Sequence, residues 1–200
     1  MKENFEDKTI ESLNLNQNNL SEIPKEVFTL ENLKKLYLWK NSISIVPKEI
    51  KSLPKLECLD IRDNNLNKLC DDICELKNLK TLYLSGNKLS SLPQSIIKLI
   101  NLNKIVLNNN SLQEFPEVLT KLPNLQRVII RENSISSIPK SIKNMKSLKN
   151  LDLSSNNIEE LPIELLELKN LKRLSLKSNN IKTLPSNLKE LENIKAFQLK

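Results

Sequence analysis

Leu79-Lys80-Thr81-Leu82-Tyr83-Leu84-Ser85-Gly86-Asn87-Lys88-Leu89-Ser90-Ser91-Leu92-Pro93-Gln94-Ser95-Ile96-Ile97-Lys98-Leu99-Ile100-Asn101 is one period of a pattern that fills the chain. The apolar register restarts every 23 residues, at Ile10, Leu33, Leu56, Leu79, Leu102, Leu125, Leu148, Leu171 and Ile194, with no insertion between units. On the frame L-x-x-L-x-L-x-x-N-x-L-x-x-L-P-x-x-I-x-x-L-x-N, positions 1, 4, 6, 11, 14, 18 and 21 stay apolar wherever a unit reaches them, with substitutes such as Val46, Phe115, Val128 and Met145. One unit is too short to bury that face alone, so stacked neighbours must close a continuous core.

The Leu-x-Leu segment at positions 4 to 6 predicts a short strand with its leucines inward, which sends positions 3, 5 and 7 to the opposite, solvent face. Position 9 is Asn in all eight full units: Asn18, Asn41, Asn64, Asn87, Asn110, Asn133, Asn156 and Asn179. A buried amide there makes sense only if it pairs with backbone groups left open by the turn, so these residues are expected to form a structural ladder. Proline follows position 14 in seven of the eight units, from Pro24 to Pro185, with Cys70 the exception. Its fixed φ and missing N–H suit the first position of a short helical turn.

These residues resemble the intracellular 23-residue class of the leucine-rich-repeat superfamily, marked by its Leu-Pro-x-x-Ile/Leu segment and found in Ras-pathway and scribble-type scaffolds and in bacterial repeat proteins. The match runs from Ile10 to Leu199. The resemblance implies an α/β repeat fold, a right-handed curved solenoid with a concave parallel β-sheet and short helical or 3-10 turns on its convex side, binding proteins across the sheet. It divides the chain into a capping segment at 1–9, eight repeats over 10–193 and a ninth over 194–200 that stops after its strand. The cysteine-rich caps of extracellular relatives are missing.

Composition excludes several classes of chemistry. Histidine is absent from the 200 residues, which removes the commonest general base, the commonest metal ligand and any Ser-His or Cys-His nucleophile. Gly86 is the single glycine, so neither a P-loop nor a GxGxxG turn can form. No enzyme activity, cofactor or metal is therefore expected. Cys58, Cys70 and Cys74 are too few for a disulfide framework. The Cys70/Cys74 pair lacks further ligands, and Cys58 reads better as a gap filler than as a reactive thiol. The first residues carry no apolar leader and no stretch is long enough to span a membrane, which predicts a cytoplasmic protein.

The candidate site lies in the three outward columns. They hold 27 residues, yet they contain the only Trp, both Tyr and all four Arg of the chain. These are the types that dominate interface hot spots. Eight basic residues against Asp60 and Asp152 give the columns +6, while the whole chain carries +7. Two sub-patches are expected to bind a partner. One is aromatic, with Lys35, Tyr37, Trp39 and Tyr83 around Asp60 and Arg62. The other has an apolar centre, Val106 and Ile129, ringed by Lys104, Arg127, Arg131 and Arg173, with Lys177 beyond. Strand packing favours aromatics and solubility favours Lys and Arg, but neither explains why arginine avoids the other columns.

The sequence thus points to a protein-interaction module or adaptor in intracellular signalling, taking a protein with an acidic surface on a basic and aromatic face. Nucleic acid or another polyanion ranks below it, because acidic residues interrupt position 5 and no nucleic-acid motif is present. The recognition subunit of an enzyme acting in trans is the third reading. Self-association through the open ninth strand is the fourth, with a monomer favoured.

Overall fold

The computed structural model describes residues 5–182, 194 and 196–199. Its backbone is one open sheet of nine parallel strands in sequence order. They are β1 (Ser12–Asn14), β2 (Lys35–Tyr37), β3 (Cys58–Asp60), β4 (Thr81–Tyr83), β5 (Lys104–Val106), β6 (Arg127–Ile129), β7 (Asn150–Asp152), β8 (Arg173–Ser175) and β9 (Ala196–Gln198). Every strand is three residues long and pairs with the next at the same repeat position, Leu82 with Ile105 and Ile105 with Val128. An uninterrupted period leaves no other register, since a one-residue slip would turn each buried leucine to solvent.

On the opposite side of the core lie seven described 3-10 turns: Lys25–Thr29, Lys48–Ser52, Asp71–Glu75, Gln94–Lys98, Glu117–Lys121, Lys140–Asn144 and Ile163–Glu167. Proline stands one residue earlier than the sequence reading placed it. It is the residue before the turn, with φ from −54 to −74°, and its carbonyl accepts the first i+3 bond, as in Val27 N–H to Pro24 O at 3.1 Å. A proline here loses nothing by lacking an N–H, and its fixed φ is already right. Cys70 takes the same backbone shape, φ −72°. Pro185 lies outside the described residues.

Between sheet and turns runs one apolar core in which strand leucines such as Leu36, Leu59, Leu82 and Leu151 are fully buried. Phe5 and Ile10 pack against it at one end and Phe197 and Leu199 at the other.

Two polar ladders flank that core. From Asn41 to Asn179 each position-9 amide donates to at least two carbonyls and accepts at least one N–H. Asn87 Nδ2 reaches Ile61 O and Leu84 O, both at 3.0 Å, and its Oδ1 takes Leu66 N–H at 2.9 Å. Asn18 makes no such bond among the described residues: the N–H and one of the carbonyls that complete a rung lie one unit upstream, and the first repeat frame begins at Ile10. A second ladder occupies position 23: Asn32, Asn78, Asn101, Asn124 and Asn170 each donate to a carbonyl 24 residues earlier at 2.8–2.9 Å, with Ser147 in the same role.

Candidate functional site

Positions 3, 5 and 7 share the sheet face, and the structure brings six of the expected residues into one depression of about 350 Å³. Arg62, Tyr83, Lys104, Val106, Ile129 and Arg131 line it together with Asp63, Ser85 and Asn108. The pairing Tyr83, Val106, Ile129 on successive strands forms its floor. Tyr83 is held from both sides: the Arg62 guanidinium lies 5.2 Å from the ring centre, and Lys104 Nζ lies 4.7 Å from it while donating to the phenol oxygen at 3.1 Å. Such contacts hold a large, amphipathic side chain in one place on the face.

The charges differ from the sequence expectation. Asp60 is only 3% exposed and Asp152 only 6%, so neither is available to a partner. Each is covered by an arginine. Arg62 closes on Asp60 with Nε–Oδ1 at 2.8 Å and Nη2–Oδ2 at 2.5 Å. Arg131 reaches across to the next strand, its Nε 2.7 Å and Nη2 2.5 Å from Asp152 Oδ2. A carboxylate taken out of water needs a fixed cation, and the nearest column supplies one. The Asp60 hydrogen bond raises the Arg62 pKa further. Charge reversal at Arg131 therefore carries a stability cost that the sequence alone did not reveal. Lys35, Lys104, Arg127, Arg173 and Lys177 pair with no carboxylate among the described residues, and they hold the uncompensated charge of the face. Val106 is 7% exposed, a floor residue more than a contact surface.

The sequence reading missed Asp63. It sits at position 8, a column of left-handed φ in every unit, and its Oδ2 accepts Trp39 Nε1–H at 2.6 Å. A Cβ on Gly86 would collide with Asp63 Oδ1. Position 8 elsewhere holds Gln17, Lys40, Asn109, Glu132, Ser155 and Ser178 at similar φ, so this chain does not need glycine there for the backbone. It needs one where the Asp63 carboxylate lies on the turn. That the only glycine falls in the outward-column turn next to Asp63 was the signal present in the sequence.

Tyr37 and Cys58 occupy adjacent rows, and burial followed by the charge of neighbours raises both pKa values. Burial likewise raises Cys70 and Cys74. The thiols are protonated at neutral pH. Among the described residues, no group of three or more His, Cys, Asp or Glu is placed to hold a metal ion, and no helix is long and apolar enough to cross a membrane. A larger hollow of about 560 Å³ lies off the sheet, between the first two turns, lined by Phe28, Ile45 and Glu49 among others. It gathers none of the expected residues.

Comparison with known proteins adds a family and a fold. The leucine rich repeat profile matches residues 8–66, 54–112, 77–135, 100–158 and 146–200. Curated proteins yield no match. A leucine-rich-repeat protein of Leptospira interrogans superposes with a TM-score of 0.84 at 30% identity, covering 98% of this chain and 56% of that one. Internalin C2 of Listeria monocytogenes superposes at 0.84 and 27% identity, over 96% of this chain and 82% of that one. A chain of the Toll–Spatzle complex from Drosophila gives 0.87 and 29% identity, over 98% and 27%. The chain spans about half the length of the Leptospira protein.

Proposed function

The chain belongs to the leucine-rich-repeat family, and from that premise we propose that it is a protein-interaction module whose sheet face takes a protein with an acidic surface. The fold commonly serves protein–protein interaction. The carrying observation is that the Trp, both Tyr and every Arg stand on one face, with Tyr83 clamped between Arg62 and Lys104. Hot-spot residues held in place lose little freedom on binding, which is where most of their advantage lies. The free cations Lys35, Arg127, Arg173 and Lys177 set the sign of the partner and speed its encounter. Tyr37 and Trp39 extend the contact toward the first units. An adaptor role in intracellular signalling belongs to the same reading, as does the division into a cap at 1–9, eight repeats at 10–193 and a strand-only ninth at 194–200. The Toll–Spatzle complex supports the reading to the extent that a related chain forms a complex.

The test is retention of an acidic partner from cell lysate on the immobilised chain and on an Arg127→Glu, Arg173→Glu variant. Both side chains are exposed and free of ion pairs, so the variant should melt with the parent while losing the partner. Undiminished retention would move the binding face elsewhere. Retention of oligonucleotide by the parent, lost steeply with salt, would replace the protein partner by a polyanion.

A further inference from the structure

Resting on the sheet-face reading, the geometry of the depression defines what it accepts. We propose that it receives an extended segment of the partner in which a large aliphatic side chain is flanked, two residues away on each side, by carboxylates. The floor is apolar, formed by the Tyr83 ring, Val106 and Ile129 on three successive strands. Ser85 lines the same depression, and its Oγ is buried without a hydrogen-bond partner.

The cations fix the spacing. Arg62 and Arg131 stand in the same column on turns that follow β3 and β6, three strands apart, and strands lie about 4.8 Å from one another, so the two are about 14 Å apart. Each spends Nε and Nη2 on its buried aspartate, which orients the guanidinium and leaves Nη1 for a visitor. An extended chain laid across the strands advances about 3.3 Å per residue and turns every second side chain to the same side. Residues i and i+4 then span about 13 Å, with i+2 over the floor between them. On a helix, i and i+4 are only about 6 Å apart, so carboxylates four residues apart reach both arginines only from an extended segment. Lys104, whose hydrogen bond is to a neutral phenol, adds a third cation beside the central residue. Asp63 on the rim opposes a continuous row of negative charge, which disfavours a phosphate backbone and favours separate carboxylates.

The probe is the blocked peptide Gly-Ser-Glu-Ser-Leu-Ser-Glu-Ser-Gly, titrated into the full ¹⁵N-labelled chain by NMR beside its isomer Gly-Ser-Glu-Glu-Leu-Ser-Ser-Ser-Gly. The first should bind about tenfold more tightly, a step of the size set by one well-placed charge pair, and should shift the amides of Ser85 and Asn108. Lys104→Glu and Ile129→Asp should each abolish the difference between the isomers. Equal affinities, shifts confined to other rows, or no shifts at millimolar peptide would overturn the inference. Loss of a lysate partner on reversing Arg127 and Arg173, which lie outside the depression, reads the sheet-face proposal separately, so either can fail alone.

Discussion

Arg131 and Arg127 are four residues apart on one face, yet their substitutions should differ. Removing Arg131 leaves Asp152 buried with only the Ser154 N–H and hydroxyl as donors. Arg131→Ala should lower stability by about 1–3 kcal/mol, and Arg127→Ala by less than about 0.5 kcal/mol, measured by denaturant unfolding. Equal effects would mean that the Arg131 pair contributes nothing. Gly86 offers a sharper case. Alanine there is strained mainly by the Asp63 carboxylate, so Gly86→Ala should cost about 1–2 kcal/mol and shift Trp39 fluorescence, while the same change beside Asp63→Ser should cost far less. At Cys58 the raised pKa means less thiolate in the folded chain than in the unfolded one at any pH near the ordinary thiol value. Iodoacetamide at pH 8 should label native Cys58 more slowly than the unfolded chain, read by intact mass.

At the scale of elements, strand position and register were legible because period-two alternation inside a fixed period admits one solution. The Asn41-to-Asn179 ladder was legible for a similar reason: a polar residue kept at a core position demands backbone partners. The second ladder at position 23 was not, since an exposed Asn in a turn has many ordinary explanations. The arginine–aspartate closures were not legible either. Alternation sends position 5 to solvent, and only the fold of a neighbouring side chain decides that Asp60 and Asp152 are covered while Asp63 is not. The two ladders should also differ in weight. Asn87→Ala removes three buried bonds and should cost about 2–4 kcal/mol, whereas Asn101→Ala removes one exposed bond and should cost less than about 1 kcal/mol.

Across the whole molecule each unit touches its two neighbours, so the array behaves as a line of coupled segments more than as a ball. Leu107 is fully buried in the middle of that line. Leu107→Ala should cost about 2–5 kcal/mol and loosen both halves, seen as faster amide exchange on either side, while Tyr83→Ala on the outer face should cost much less. Inside and outside are thereby separated: the leucines and asparagines carry the stacking, and the outward columns vary freely from row to row. Identical pairing at every step has an evolutionary corollary. Duplication or loss of any stretch of coding sequence one period long, wherever it starts, joins a complete inner pattern to a complete inner pattern. The array can therefore gain or drop a row, and shift what its face reads, without passing through an unfolded ancestor.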